Sequence, residues 1–488
     1  MPQREVQLRG GAYQARDLPV HAQRCVNLYA EIHPKGGQAP VPVTNYLTAG
    51  LLKRGDAPEA RGFRCLFTAS SGTLYGVVRS KVYQITSAGA FVELGTITDG
   101  TSPVSMADNG AVLMVVDGSA DGWCVDLTTQ AFAQVSATNF YGANWVEYID
   151  TYFILNNPGT NQWYTSLSNV TKTELTDGTA FDPLDIVGKT GGPDDISAIC
   201  SLHGELWIIG VFTSEVWQNT GNAEFAFERV PNALISHGCA AQHSLATTDI
   251  FGFMLMQDKE GKGVIIVKTS GYGFSRVSTH AIEQDIASYN TVSDAIGYCR
   301  QEEGHAYYVI TFPSADKTWM MELASGQWCE LSSFDANDVL GRHRAAWTAS
   351  AYGKNWAGDF SNGKLYEFDR DHYLDDTKPI PRVRSFPHLL GIGNRVTYHH
   401  FIANMEVGQV LGTSEDDPPL VTLRWSDDRG ETFGNGVTQS MGALGQYLTS
   451  PKWSRLGMAR DRIFELSWSE PGHTALSGAF VMYEDHET

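Results

Sequence analysis

The sequence predicts an all-β protein, a β-propeller of roughly six to eight blades with an additional C-terminal β-sandwich-like domain. Three observations lead to this fold class. The 488 residues include 49 Gly and 11% aromatic residues but only 18% charged residues, a composition typical of strands and turns. Short apolar runs alternate with turn clusters along most of the chain. A short pattern also recurs at a spacing that fits propeller blades.

The predicted strands are runs of four to six residues that are rich in β-branched and aromatic side chains. Runs of this length and composition favour strands over helices. Clusters of Gly, Asn and Asp, such as those at 98–101 and 361–364, supply the turns between them. The clearest runs are 74–78, 111–116, 152–155, 206–209, 264–267 and 307–310.

A Gly-x-Leu-aromatic pattern begins at Gly72, Gly204 and Gly363, which are 132 and 159 residues apart. Both separations suit whole numbers of units of roughly 40–50 residues, the usual size of a propeller blade. The first two copies also continue alike over residues 79–84 and 213–218. We therefore expect a propeller, with stacked sandwiches as the alternative architecture.

The pattern of strand-like runs predicts three parts. Residues 1–60 are expected to form an extended N-terminal segment that closes the fold, and residues 61–377 the propeller. Residues 378–488 open on a Pro-containing stretch and are expected to form a separate β-sandwich domain. Within it, the alternation at 463–468 indicates a strand with one buried face. The terminal segments are also able to complete blades.

Composition limits the location and the ligands of the protein. The formal net charge of −20 argues against general attraction to nucleic acid. An acidic surface would still allow a DNA duplex to slide past without sticking. The acidity equally fits a protein that only needs to stay soluble. The seven cysteines show no CxxC spacing, which predicts free thiols rather than zinc or redox chemistry. The polar N-terminus and the lack of an apolar run of ~18 residues predict neither a secretory signal nor membrane insertion.

One motif of the chain matches the Asp-box pattern Ser-x-Asp-x-Gly-x-Thr-aromatic, through Ser426, Asp428, Gly430, Thr432 and Phe433. It predicts a locked hairpin, in which the Asp and Ser side chains bond to the turn backbone and Gly takes the strained position. Sialidases carry several copies and an arginine cluster, whereas this chain has one copy, outside the predicted blades. We interpret it as structural and keep a sialidase-like or other glycan-cleaving propeller as an alternative function.

No other motif predicts a catalytic, cofactor or metal site. Residues 188–190 resemble the end of a phosphate-binding loop, but Pro183 stands where its leading glycine belongs. An acidic cluster lacks the Gly and Glu of a calcium loop, so a solvated linker is the preferred interpretation; its members are Asp369, Asp371, Asp375 and Asp376. The basic stretches 378–388 and 452–462 are interpreted first as solvated faces and second as subunit contacts.

Several short motifs occur in a shared order along nearly the whole chain. They are 18–20, 26–30 with Asn27, 47–51, 215–221, 235–240, 278–283, 452–457 with Trp453, Arg455 and Gly457, and 476–478 with Gly478. In this order they resemble the packaged-DNA stabilisation protein family, the tail hub or nozzle of short-tailed, tailspike-bearing bacteriophages. Asn27, Trp453, Arg455, Gly457 and Gly478 occupy positions of the family motifs, and we expect Trp453, Arg455 and Gly457 to be structural.

The resemblance implies a non-enzymatic structural protein of the virion tail, assembled in the host bacterial cytoplasm, with no cofactor and no catalytic residue. Six copies would form a ring below the portal and its adaptor, close the head and retain the packaged DNA. The ring would dock tailspikes or tail fibres and a central needle or plug. Double-stranded DNA would pass through its lumen without sequence-specific contacts. A receptor-binding tail protein is the other alternative, although the fibrous repeats expected of one are absent from the sequence.

Overall fold

The computed structural model describes residues 3–6, 8, 10–14, 22–33, 43–257, 260, 263–335, 337–390, 394–410 and 413–486. The regular structure is overwhelmingly β, and its two α-helices are short: α1 (Lys172–Asp177) and α2 (His280–Ala287). Helix α1 begins at a capping box formed by Thr171 and Glu174 and ends at Gly178, whose φ is 88°. The chain is therefore all-β, as the composition predicts.

The strands of the N-terminal part of the chain belong partly to the propeller and partly to the C-terminal domain. Strand β7 enters the propeller, whereas β1, β4, β5 and β6 join the sheets of the C-terminal domain and β2 pairs with β3. These strands are β1 (Gln3–Val6), β2 (Tyr13–Gln14), β3 (Ala22–Gln23), β4 (Cys25–Val26), β5 (Leu28–Ile32), β6 (Val43–Leu47) and β7 (Gly50–Asp56).

Seven antiparallel sheets then follow one another along the chain and form the blades. Blades 1 to 3 contain β8 (Phe63–Thr68), β9 (Leu74–Val78), β10 (Lys81–Ile85) and β11 (Phe91–Thr96); β12 (Ser105–Asp108), β13 (Val112–Val116), β14 (Gly122–Asp126) and β15 (Phe132–Gln134); and β16 (Val146–Ile149), β17 (Tyr152–Asn156), β18 (Gln162–Thr165) and β19 (Ile186–Gly188). Blades 4 and 5 contain β20 (Ile196–Leu202), β21 (Glu205–Gly210), β22 (Ser214–Asn219) and β23 (Phe227–Ile235); and β24 (Gly238–Cys239), β25 (Ala246–Thr247), β26 (Gly252–Gln257), β27 (Ile265–Thr269) and β28 (Phe274–Arg276). Blades 6 and 7 contain β29 (Ile296–Glu302), β30 (His305–Phe312), β31 (Lys317–Glu322), β32 (Gln327–Phe334) and β33 (Leu340–Arg342); and β34 (Ala345–Ala351), β35 (Lys354–Asp359) and β36 (Lys364–Asp369).

The propeller is closed by a strand from the other end of the chain. Strand β7 pairs antiparallel with β36 as the fourth strand of blade 7, with Gly50 opposite Asp369 and Asp56 opposite Lys364. The first strands of the blades contact one another around the ring, β34 against β8 included. This closure leaves no open sheet edge between the first and last blades. The prediction of a propeller is confirmed, and its seven blades lie within the predicted range. The alternative architecture of stacked sandwiches was wrong.

Two of the three copies of the Gly-x-Leu-aromatic pattern occupy the same position within their blades. Gly72 and Gly204, with φ of 79° and 77°, form the turns before the second strands of blades 1 and 4. Their separation is therefore three whole blades. Gly363 precedes β36, which is the third strand of blade 7. The expectation that the second separation is also a whole number of blades was wrong, because the same turn pattern serves a different hairpin of the blade.

The C-terminal domain is a β-sandwich, as predicted. One sheet has the order β44-β41-β46-β6-β5 with β1 beside β46, and the other contains β4-β39-β45-β42-β43 with β40 beside β45. Strands β37 (Leu374–Asp375) and β38 (Lys378–Pro379) extend the sheet of blade 7 beyond β7. The sandwich strands that follow are β39 (Arg382–Ser385), β40 (Leu389–Leu390), β41 (Arg395–Glu406), β42 (Leu420–Ser426), β43 (Val437–Ser440), β44 (Lys452–Ala459), β45 (Asp461–Trp468) and β46 (Ala475–His486).

Propeller and sandwich share one sheet and one core. Strand β4 pairs in parallel with β32 of blade 6 at Val26 and Glu330, and antiparallel with β39 of the sandwich. A single apolar cluster contains Val309 and Met320 of blade 6 together with Phe401 of the sandwich. Because β6 precedes and β39 follows the propeller in sequence, the propeller is an insertion into the sandwich.

The prediction of one buried face for 463–468 was wrong, because both faces of β45 are buried. Glu465 is 0% exposed and accepts a hydrogen bond of 2.7 Å from the Ser385 hydroxyl. The Arg24 guanidinium lies 3.8 Å from the Glu465 carboxylate. The N-terminal segment therefore covers the polar face that the alternation assigns to solvent.

Candidate functional site

Aromatic rings from three blades meet at the centre of the propeller. Trp145 of blade 3 stacks on His243 of blade 5 with ring centroids 5.6 Å apart. The edge of Trp347, on the inner strand of blade 7, contacts the same His243 ring at 6.0 Å. Because these blades are not neighbours, their rings reach one another only by extending over the axis. The centre of the propeller is therefore closed to a DNA duplex.

Asn27 joins three parts of the chain at the propeller–sandwich junction. Its amide nitrogen donates to the carbonyls of Ser332, at 2.8 Å, and of Pro381, at 2.7 Å. Its amide oxygen accepts from the Ser332 backbone nitrogen at 2.9 Å. The residue is 1% exposed and has a φ of 53°, a left-handed conformation that Asn tolerates better than most residues. This geometry gives the motif residue a structural role.

Arg384 is a fully buried cation at the same junction. Its guanidinium donates to the carbonyls of Gly10, at 2.7 Å, and of Gly11 and Arg24, both at 3.2 Å. It also donates to the side chain of Gln23 at 3.3 Å. Burial lowers the pKa of Arg384. Among the described residues no carboxylate forms an ion pair with it, so backbone carbonyls hold it in place. The side chain fastens the N-terminal segment to β39.

The interpretation of both basic stretches as solvated faces was wrong for three arginines. Arg382, Arg384 and Arg462 are each at most 1% exposed, because β39 and β45 lie inside a sheet that is covered on both sides. Arg462 forms a bidentate pair with Asp427 at 2.6 and 2.7 Å. Sequence alone does not distinguish these side chains from solvated ones, because alternating Arg residues also suit an exposed strand face.

The Asp-box residues lie together in the turn after β42. Ser426 donates to Asp428 at 2.6 Å, and the backbone nitrogen of Gly430 donates to the Ser426 hydroxyl at 2.8 Å. The Thr432 backbone nitrogen donates to Asp428 at 2.9 Å, and its hydroxyl donates to the same carboxylate. These bonds lower the pKa of Asp428 to about 2. Arg424 lies over the ring of Phe433 at 4.8 Å. The polar groups of the hairpin bond to one another, which is the geometry of a locked turn.

The other motif residues lie in the sandwich sheet with the order β44-β41-β46-β6-β5. Trp453 is 1% exposed and donates its indole N–H to the Val437 carbonyl at 2.7 Å. Arg455, with a φ of 61°, and Gly457, with a φ of 80°, form a bulge of β44 opposite β41. Gly478 lies at a second bulge, between β46 and β41. Residues 18–20 lie outside the described residues.

The acidic cluster does not converge, and its interpretation as a solvated linker was wrong for Asp375. That residue is 2% exposed and accepts a hydrogen bond of 2.6 Å from Ser333 of blade 6. Asp376 instead pairs with Lys364, and Asp369 caps the backbone nitrogen of Asp371. Burial raises the pKa of Asp375 to about 6, against the lowering effects of Ser333 and two nearby arginines.

Replacement of Asp375 by Asn is expected to remove a pH dependence of stability. The folded protein keeps the Asp375 proton up to about pH 6, whereas the unfolded chain loses it near 3.8. The wild-type free energy of unfolding therefore falls as the pH rises between these values, and the Asn variant lacks that fall. Relative to wild type, the variant should gain about 2 kcal/mol between pH 4 and pH 7 in denaturant titrations. An equal difference at both pH values would contradict this assignment.

Residues 188–190 form no phosphate cradle, since Lys189 is bonded within the protein. Its ammonium group pairs with Asp194 at 2.8 Å and donates to the Thr213 hydroxyl at 2.8 Å. Burial lowers the pKa of Lys189. The side chain is 4% exposed, so it stabilises the contact between the end of blade 3 and blade 4.

Within the described ranges, no three His, Cys, Asp or Glu side chains converge in a way that would hold a metal ion. The described helices are six and eight residues long, too short to cross a membrane.

Comparison with known protein families gives two matches that follow the two domains. A family model described as bacteriophage P22 Gp10, β-propeller, matches residues 4–373. A second model, described as bacteriophage P22 Gp10, β-sandwich, matches residues 385–484. No curated protein matches the chain.

Two of the solved structures that resemble this chain do so only distantly. A crystal structure of a mitotic checkpoint complex matches at 12% identity and a TM-score of 0.39, over 70% of this chain and 99% of that one. The extracellular domain of a hybrid two-component system from B. thetaiotaomicron matches at 8% identity and a TM-score of 0.42, over 82% of this chain. This chain spans 47% of that protein. At these values the likenesses carry no information on function.

Proposed function

Because the chain belongs to the bacteriophage P22 Gp10 family of structural phage proteins that stabilise packaged DNA, we propose that it is the tail hub that closes the DNA-filled head. In this proposal six copies form a ring below the portal and its adaptor protein. The ring retains the genome in the virion, and its assembly takes place in the host bacterial cytoplasm. The family match over both domains is the observation that carries the proposal.

Because the centre of each propeller is closed, we propose that each copy forms part of the channel wall and that DNA does not pass through the propeller itself. Trp145, His243 and Trp347 meet at the centre of the propeller, so the proposed exit channel for DNA lies between copies, in the lumen of the ring. The net charge of −20 disfavours non-specific adhesion of phosphate to that wall. Double-stranded DNA would therefore slide through the lumen without sequence-specific contacts.

The connection between propeller and sandwich supports the proposal that each copy is a rigid building block of the ring. Strand β4 continues blade 6 into the sandwich, and Asn27 bonds to both domains. A ring built from such copies needs two different complementary faces per copy. Its remaining surfaces are the proposed docking sites for tailspikes or tail fibres and for a needle or plug.

The proposal rests on contacts rather than on chemistry. The Asp-box hairpin, the feature that the alternative of a glycan-cleaving propeller relies on, bonds its own polar groups within a turn of the sandwich. We assign no catalytic residue and no cofactor.

Addition of the purified protein to DNA-filled heads that lack a tail should make the packaged DNA resistant to nuclease. The protein should also co-sediment with the heads, because a bound ring blocks the portal exit. DNA-filled heads whose portal vertex already carries a tail control for non-specific adhesion, because the proposed binding position is occupied there. Failure to bind or protect, even with the adaptor protein present, would refute the hub and make a glycan-cleavage screen the next step.

A further inference from the structure

One loop of the sandwich presents apolar side chains to solvent on a fixed backbone. We call residues 442–450 the apolar loop; Leu448 in it is 98% exposed, Tyr447 65% and Leu444 50%. The Gly445 nitrogen donates to the Gly408 carbonyl at 2.9 Å, and the Leu444 nitrogen donates to the Thr413 hydroxyl at 3.1 Å. Internal bonds of Gln446 complete the turn. The backbone of the loop is therefore satisfied while its largest side chains have no cover.

Exposed apolar side chains on an ordered backbone mark a contact surface. Because the loop is already held in one conformation, binding it costs less conformational entropy than binding a mobile loop. Next to the loop, in the segment that supplies Thr413, lie Glu415, Asp416 and Asp417, which are all exposed. Glu415 accepts a hydrogen bond of 3.1 Å from the Gln446 side chain, and among the described residues none of the three carboxylates has an ion pair. The apolar loop thus has an uncompensated acidic flank.

A second surface of the same domain carries the opposite charge. Within the described residues, strand β44 lies at the edge of its sheet and has β41 as its one paired neighbour. Its solvent side presents Lys452 and Arg455, Arg460 follows its last residue, and none of these cations forms an ion pair within the described part of the chain. Met458, 46% exposed, lies among them. We call this surface the basic edge.

The two surfaces complement each other in charge and in apolar character, and we propose that the apolar loop of one copy binds the basic edge of a second copy. The inference rests on the proposed ring and names the contact that builds it. Acids without an ion pair beside the apolar loop meet cations without an ion pair beside Met458, which sets the register of the contact. A contact between two different patches repeats from copy to copy and closes into a ring when the rotation between copies divides a full turn. DNA is not the occupant of the loop, because the acidic flank repels phosphate.

The self-association of the purified chain, measured by sedimentation velocity, tests both halves of the contact. Leu448→Ser should weaken association about tenfold to a hundredfold, the effect of one large apolar side chain. Leu184→Ser is the matched control, since Leu184 is 79% exposed on the propeller and should change nothing. Equal association of the two variants and the wild type would overturn the inference.

Charge exchange separates a contact from a structural effect. Reversing the acidic flank with Glu415→Lys and Asp416→Lys should weaken association, as should reversing the basic edge with Arg455→Glu and Arg460→Glu. A chain with all four substitutions should regain it, because the two surfaces are complementary again with opposite signs. If reversal of the basic edge leaves association unchanged and only lowers affinity for DNA, the edge faces the channel and the inference is wrong.

Cross-linking on heads distinguishes failure of this contact from failure of the hub. A chain with Leu448→Cys and Met458→Cys, bound to tailless DNA-filled heads and treated with a thiol oxidant, should give a ladder of covalent oligomers. The seven native cysteines are free and six of them are buried, and a chain with Leu184→Cys and Met458→Cys controls for them. Protected heads without a ladder overturn the contact and leave the hub standing. A chain that stays monomeric in solution and does not bind heads overturns both.

Discussion

Replacement of Asn27 by Ala should lower the free energy of unfolding by about 4 kcal/mol, from three lost buried hydrogen bonds and a strained backbone. The variant leaves the carbonyls of Ser332 and Pro381 and the nitrogen of Ser332 without their partner. Alanine at a φ of 53° adds steric strain. Because the lost bonds join blade 6 to the sandwich, the two domains should also unfold in separate thermal transitions, visible by calorimetry.

Asn169→Ala is the matched control for this prediction. Asn169 has a φ of 52° but is exposed in the connection between β18 and α1 of blade 3. Its replacement by Ala introduces the same backbone strain but removes no buried hydrogen bonds. It should therefore lower the free energy of unfolding by about 1 kcal/mol. If both variants unfold at the same denaturant concentration, the junction does not depend on the Asn27 amide.

Replacement of Leu51 by Asp should prevent stable closure of the propeller. Leu51 lies on β7, is 0% exposed and packs with Ala345, Ala357 and Tyr366. A carboxylate there loses the apolar contacts and is buried without a partner, a penalty of about 5 kcal/mol or more. Without β7 in place, β36 becomes an open edge. We expect little soluble protein, and rapid proteolysis of what remains.

Lys53→Asp, on the same strand, tests whether burial is the cause. Lys53 is exposed and pairs with Asp56 at 2.7 Å. Loss of an exposed pair should cost less than about 1 kcal/mol, so this variant should remain soluble and protease-resistant. A Leu51→Asp chain that is equally soluble and resistant would show that the propeller does not require its N-terminal strand.

Local patterns in the sequence predicted the fold class because propeller blades are made of short strands between tight turns. The runs at 74–78, 152–155 and 307–310 all lie in strands of the blades. Gly72 and Gly204 occupy turns with positive φ at equivalent positions of blades 1 and 4. Each of these features is set by residues that are neighbours in sequence.

Long-range pairing explains what the patterns did not predict. Strand β4 is two residues long and pairs with β32, some 300 positions further along the chain. No periodicity identifies such a partner. The burial of Arg384 likewise depends on carbonyls of Gly10 and Arg24, which reach it only in the folded chain. The resemblance pointed to Asn27, but not to the two domains that its amide connects.

Cryo-electron microscopy of tailless, DNA-filled heads with the protein added tests the hub most directly. The account predicts a ring of protein density directly below the portal vertex, into which the joined propeller and sandwich fit as one body. Density for the duplex should end at or pass through the lumen between copies, never along the axis of a propeller. An unoccupied portal vertex would contradict the account. So would duplex density through the centre of a propeller, where Trp145, His243 and Trp347 meet.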